Sequence, residues 1–300
     1  MNLIAVSIGY AVPGRDFDAT VHSVFKDVAN LSFGKKWQLL TLMTALNPDL
    51  PQGIRIDTTP GFSFQDRLQL GEKLICKNGI LWDEHGHLSI RLKGASRWKC
   101  CLPYINMHTS PAVGAWSAIS TALEMRQKHT SAQICITELF HLSDGQSGTA
   151  RKLGLLTREL VRTTRKLELP GKETLAGLIG LGLGLTPSGD DLLVGFLAGL
   201  RCAAGGDEER RSFLSHLGRI VMRLSRWTTD ISRTYLYHAT HGQFSRPLEL
   251  LTESIANSVE SHYLLSAAKA VMDIGHSSGM ETLTGLLIGL SVWEKGMLPA

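Results

Sequence analysis

The feature that most constrains this chain is a short internal repeat. Ser188-Gly-Asp-Asp-Leu-Leu-Val-Gly-Phe-Leu-Ala-Gly-Leu200 and Ser278-Gly-Met-Glu-Thr-Leu-Thr-Gly-Leu-Leu-Ile-Gly-Leu290 agree at seven of thirteen positions. Each copy opens on Ser-Gly, carries an acid at its fourth position and then repeats glycine at a four-residue interval, Gly195/Gly199 in one and Gly285/Gly289 in the other. Four residues are close to one helical turn, so Asp191, Gly195 and Gly199 share a helix face, as do Glu281, Gly285 and Gly289. Residues without a Cβ on one face let two backbones come close, a device best attested in membrane helices but steric in origin. The repeat therefore predicts two helices that cross through their glycines about a local pseudo-twofold and bring both N-termini to one place. The same glycine face would also serve a subunit interface in a homo-oligomer. Ser188 with Asp191 and Ser278 with Glu281 have the spacing of capped helix starts, the second pair being a full capping box.

Around the repeat the chain changes character once. At 300 residues it exceeds the usual single domain of roughly 100–200, which predicts two. Residues 1–105 read as β-rich, with short β-branched and aromatic runs between turn signals. Asn2–Val12 lacks the basic region and cleavage site of a signal peptide and reads as a strand. Asn78-Gly79 inside Lys73–Trp82 is a strong hairpin signal, and His87–Leu92 supplies a further strand. Residues 106–300 have the helical period, over Ala115–Gln127, Ala150–Leu167, Leu192–Ala204, Glu208–Trp227, Ile231–Thr240, Pro247–Val259 and Tyr263–Asp273. Pro103–Pro111 is the expected hinge. The expected fold class is α+β: an N-terminal small barrel or sandwich-like domain, then a mostly α-helical domain carrying the pseudo-repeated, glycine-rich capped helix.

Composition removes several functions. Thirty-one basic residues against 27 acidic ones give a net charge of +4, too mild for a nucleic-acid footprint. Of the two apolar runs, Leu175–Leu200 is broken by Pro187, Asp190 and Asp191, and Leu283–Trp293 falls short of the roughly 20 residues that span a bilayer, so no membrane anchor is expected. Cys76, Cys100, Cys101, Cys135 and Cys202 are an odd set without a C-x-x-C pair, which fits reduced thiols in the cytoplasm.

The start of a helix exposes unpaired N–H groups and the positive end of a dipole, a prepared place for phosphate or carboxylate. Gly180-Leu-Gly-Leu-Gly184 leads into Thr186, so a small anionic ligand is expected there. It is no Walker loop, because no Lys-Ser/Thr follows the last glycine, and it lacks the context of a dinucleotide fold. The expected binding groups are Thr186, Ser188, and the N–H groups of Gly189 and Asp190, with Ser277, Ser278 and Gly279 from the second copy. Asp190, Asp191, Glu281 and His276 are the candidate catalytic residues; Asp190 and Asp191 could instead hold Mg2+, or do no more than cap the helix. His276-Ser-Ser-Gly279 also fits an ordinary turn. Arg219, Arg223 and Arg226 form one helix stripe that reads as a solvated face, though an arginine there could clamp a carboxylate. His238 and His241 have a metal-site spacing but no visible third ligand.

Three stretches resemble a known family: Gly182–Gly195, Tyr235–Leu248 and Gly275–Gly285 are similar to the hallmark segments of AllH-like proteins. The resemblance is strongest over 180–290; before it, only Val24–Asn30 and Leu39–Met43 are similar. It implies a subunit of an oxamate carbamoyltransferase, which converts oxalurate and phosphate to oxamate and carbamoyl phosphate in allantoin breakdown, working with an FdrA-type subunit similar to succinyl-CoA synthetases and an AllG-like subunit. The alternatives are a non-catalytic anion-binding or assembly subunit of such a complex and a stand-alone metal-dependent hydrolase.

Overall fold

Alternating burial organises the first hundred residues. In β1 (Asn2–Gly9) Leu3, Ala5 and Ser7 turn inward while Asn2, Ile4 and Val6 face out, the period of a half-buried strand. The computed structural model describes residues 1–128 and 148–298, and its contacts divide the chain into two compact units, Met1–Cys100 with Gln243–Arg246, and Cys101–Gly242 with Pro247–Ala300. Cys135 lies outside the described residues; Cys76, Cys100 and Cys202 are buried and Cys101 is exposed.

The first unit is a closed barrel. Its further strands are β2 (Phe17–Val24), β3 (Val28–Phe33), β4 (Lys35–Thr44), β5 (Gly53–Asp57), β6 (Lys73–Lys77), β7 (Ile80–Asp83), β8 (Ser89–Arg91) and β9 (Ser96–Trp98). They run in the order β5-β4-β3-β2-β6-β7-β8-β1, and an antiparallel β1–β5 pairing, Ile4 opposite Asp57 and Ile8 opposite Ile54, closes the ring of eight. Strand β9 adds outside the ring, parallel to β1 at Ser7–Gly9, beyond the stretch that β8 pairs. Closure decides between barrel and sandwich, and it leaves no open edge in the ring. The expected hairpin joins β6 and β7 through Asn78 (φ 53°) and Gly79 (φ 76°), the pair of left-handed residues a two-residue primed turn needs. Leu31, Leu40, Leu42, Ile54, Ile56, Leu74, Leu81 and Ile90 fill the interior.

Nine helices form the described part of the second unit: α1 (Ser110–Lys128), α2 (Gly148–Arg165), α3 (Lys172–Leu178), α4 (Ser188–Ala204), α5 (Glu208–Leu224), α6 (Asp230–Thr240), α7 (Arg246–Ala256), α8 (Ser261–Met272) and α9 (Ser278–Ser291). Two of them carry the repeat and form the core, since nearly all of α4 and α9 is buried. Hydroxyls inside this apolar layer are satisfied within their own helix, Thr284 Oγ1 donating to the Met280 carbonyl at 2.8 Å and Ser291 Oγ to the Leu287 carbonyl at 2.7 Å. No helix among the described residues is long and apolar enough to cross a membrane.

The repeat helices cross through their glycines. A Cβ on Gly195 would lie 2.8 Å from the Leu286 nitrogen and closer still to the Thr282 carbonyl oxygen; one on Gly285 would meet the Phe196 nitrogen at 2.8 Å and press on the Leu192 carbonyl. The next turn repeats the pattern, Gly199 against the Leu290 nitrogen at 2.6 Å and Gly289 against the Leu200 nitrogen at 2.9 Å. Each helix thus fits backbone against backbone. Adding one methyl group at Gly195 should force the helices apart, so Gly195→Ala is expected to cost about 1–3 kcal/mol or more. Gly114→Ala, in α1 with open space around it, should instead gain up to about 1 kcal/mol from helix propensity. Melting temperatures of the two variants moving in the same direction would contradict the crossing.

Candidate functional site

Both repeat helices begin one residue earlier than capping by Ser188 and Ser278 would require. Pro187 and Ser277 hold the N-cap positions, and neither makes a side-chain cap bond. Their carbonyls instead receive the first-turn N–H groups: Asp190 and Asp191 donate to Pro187 O at 2.9 and 3.2 Å, Met280 and Glu281 to Ser277 O at 2.9 and 3.1 Å. The expected reciprocal capping of each helix by its own serine and acid is therefore absent.

Hydroxyls at the two starts link one copy to the other instead. Thr186 Oγ1 and Ser278 Oγ hydrogen-bond each other at 2.7 Å, joining the two copies at their starts. The Ser278 and Thr186 hydroxyls lie close enough to the Asp191 carboxyl to favour its ionised form, and those of Ser188 and Ser277 do the same for Glu281. Asp191 of α4 thus meets the serine of α9, and Glu281 of α9 meets the serine of α4, a pseudo-twofold exchange.

The acids are buried, Asp191 to 7% and Glu281 to 6% exposure, and Asp191 Oδ2 and Glu281 Oε2 each lack a hydrogen-bond partner among the described residues. Burial pushes Asp191 well above the ordinary carboxylate range; the Ser278 and Thr186 hydroxyls oppose this, while the charges of Glu281 and Asp190 add to it. Burial likewise raises Glu281 against the hydroxyls of Ser188 and Ser277. The Tyr235 phenol, on α6, is pushed up to about 12 by burial and then by the charge of Asp191, so it stays a hydrogen-bond donor. Tyr235 belongs to the second family-like stretch, but nothing in the spacing of that stretch tied it to Asp191.

The remaining candidates fall elsewhere. Asp190 is 1% exposed, and its oxygens accept from the Gly180 N–H at 3.0 Å and from the Thr228 hydroxyl. Burial raises its pKa and these donors lower it. Thr229 secures the same loop by donating to the Leu185 carbonyl at 2.6 Å while its Oγ1 caps α6. Thr228 and Thr229 carry no motif in the sequence, and only the fold brings them to the glycine-rich loop. The expected backbone cradle is occupied: the Gly189 N–H donates to Leu181 O at 2.9 Å and the Gly279 N–H to Ile274 O at 3.0 Å, and the Asp190 N–H is bound by Pro187. Both glycines are needed sterically, because a Cβ would strike the Leu178 or the Val271 carbonyl. His276 is exposed in the turn before α9.

A cation shared by Asp190 and Asp191 does not fit this donor set, since protein donors already occupy Asp190. Among the described residues no group of three or more His, Cys, Asp or Glu is arranged to hold a metal ion. His238 is buried and pushed down to about 3, by burial and then by His241, whose Nδ1 lies 2.7 Å from the Tyr237 carbonyl.

A closed barrel followed by a helical unit whose crossed repeat buries two carboxyls defines an α+β protein. Residues 5–97 match the AllH family N-terminal domain, and residues 178–290 match the family described as oxamate carbamoyltransferase subunit AllH. The chain belongs to the AllH family. No solved structure matches it.

Both acids have pKa values raised on folding, above unfolded values of about 3.9 and 4.3. In that window the folded chain holds protons the unfolded chain has lost, so stability is full below about pH 4 and declines as pH rises toward the folded values. Asp191→Asn removes its share of the decline, and its melting temperature should fall less steeply above pH 4 than that of the wild type. Parallel curves would show that Asp191 is ionised in the fold.

Proposed function

We propose that this chain supplies the proton-handling and anion-holding part of an oxamate carbamoyltransferase that forms oxamate and carbamoyl phosphate from oxalurate and phosphate. The observation that carries the reading is the Asp191/Glu281 pair, buried, raised in pKa and each with one oxygen that no donor among the described residues meets. In the reaction a phosphate oxygen bonds to the carbamoyl carbon and the bond from that carbon to the oxamate nitrogen breaks. The departing nitrogen needs a proton. An ionised acid pair would repel every participant in this chemistry, whereas carboxyls kept neutral by burial donate hydrogen bonds to an anion and can deliver the proton.

On this reading Asp191 is the acid and Glu281 shares its proton, because two close carboxyls do not readily ionise together. Thr186, Ser188, Ser277 and Ser278 hold phosphate or carboxylate oxygens through their hydroxyls. Asp190 is a positioning residue that fixes the Gly180 loop, and Gly189 and Gly279 set the helix starts. His276 lies exposed beside Ser277. FdrA-type and AllG-like subunits complete the enzyme in the cytoplasm, a reading supported by the family's description as a subunit.

The test is carbamoyl phosphate formation by the chain reconstituted with those subunits. Asp191→Asn should lower kcat by about 100-fold or more with the complex still assembled. Ser188→Ala should act mainly on KM for phosphate. Full activity of Asp191→Asn would reject the assignment, and assembly with full turnover in both variants would leave this chain a structural subunit.

A further inference from the structure

The far end of α4 opens on a cleft of about 1250 Å3 within the helical unit, walled by α4, α5 and the end of α6. Its charged lining is basic throughout: Arg201 from α4, with Arg211, Arg219 and Arg223 from α5, and no Asp or Glu among the described residues that line it. Arg201 lies thirteen residues beyond Ser188, or about 20 Å along the helix, so this is not the acid-pair site.

The arginines of α5 divide into two kinds. Arg210 and Arg211 close the carboxyl end of α4, donating to the carbonyls of Ala203 at 3.1 Å and Gly205 at 2.7 Å. Arg219 and Arg223 make no hydrogen bond or ion pair with the described residues, and neither does Arg201. Arg219 and Arg223 stand one turn apart on one helix, where like charges destabilise unless something answers them. Arg226, the third member of the stripe, is different again, lying over the Trp227 ring. Arg201 is laid along the chain at Gly242, where a Cβ would come within 2.7 Å of its Nη2, so its guanidinium is held in place without its charge being met. Guanidinium forks of this kind match phosphate oxygens two at a time.

The uncharged wall carries the second half of the inference. Leu197 and Met222 make part of it apolar, and Tyr104 packs its ring edge on Gly205, a Cβ there falling 2.6 Å from Cε2, while the residue stays 57% exposed. A supported aromatic face beside unpaired guanidinium groups suits a flat ring joined to phosphates. The geometry points to a binding site for a nucleoside di- or triphosphate in this cleft, with phosphates on Arg201, Arg219 and Arg223 and the base on Tyr104.

Isothermal titration of the full chain with ADP, ATP and pyrophosphate at one ionic strength tests this. ADP and ATP should bind with one-to-one stoichiometry, and pyrophosphate more weakly. Arg219→Ala/Arg223→Ala should weaken all three by about tenfold or more, as loss of charged hydrogen bonds does. Tyr104→Ala should weaken ADP and ATP by about tenfold and leave pyrophosphate unchanged, because only stacking is lost. Arg226→Ala and Asp191→Asn should bind as the wild type does, the latter separating this site from the acid pair. All replaced side chains are exposed except Asp191, and circular dichroism confirms that each variant is folded. Absence of binding at millimolar nucleotide, binding indifferent to the arginine pair, or equal affinity for ADP and pyrophosphate would each overturn the proposal. So would loss of partner-subunit assembly in the arginine variant without nucleotide binding by the wild type, which would assign the cleft to an acidic protein surface.

Discussion

Backbone contact between α4 and α9 is the constraint from which the rest of the helical unit follows. Four glycines remove the side-chain layer that ordinarily keeps packed helices 8–10 Å apart, and carbonyls and amides of one helix come against those of the other. Such contact fixes translation and rotation together, because moving either helix by a fraction of a turn sets a side chain against backbone. The first turns are therefore registered against each other, and Asp191 and Glu281, four residues before Gly195 and Gly285, are carried to one place. Apolar burial along both helices offsets the cost of enclosing two acids at their starts.

Registration also explains the exchange of hydroxyls. Once the Pro187 and Ser277 carbonyls take the first-turn N–H groups, the serines at the next positions are released from capping. The nearest acceptors left to them are the acids of the opposite copy. Each carboxyl then faces hydroxyls but no cation among the described residues, and burial outweighs the hydroxyls in setting the direction of its pKa shift. One geometric device thus sets both the position of the pair and the direction in which its pKa values move.

Parts of this were readable from the chain. The glycine interval stated the crossing directly, since nothing but close backbone approach requires glycine on successive turns of one face. Asn78-Gly79 stated its turn for a similarly local reason. Barrel and sandwich stayed undecided because closure rests on β1 meeting β5 some fifty residues away, and local alternation looks the same in both. Helix α3, seven residues long, is too short to display a period. The commitment of Asp190 was hidden because its partners, Gly180 and Thr228, are a loop amide and a hydroxyl remote in sequence. The capping reading failed for a different reason: the spacing was right, but the residue before each serine, Pro187 or Ser277, took the cap position.

Charge is arranged along α4 in the sense its dipole favours, acids at the positive N-terminal end and arginines at the negative C-terminal end. At the arginine end the groups are exposed to solvent. At the acid end two effects compete for Asp191. A helix N-terminus favours the ionised form by about 0.3–1 kcal/mol, less than one pKa unit, whereas full burial disfavours it by up to about 3–5 units. Desolvation wins, and the charge of Glu281, with its own helix start behind it, acts in the same direction. A helix start that would ordinarily lower the pKa of its acid therefore holds one whose pKa is raised, and on the proposed function this inversion would suit an acid-lined site to an anionic ligand.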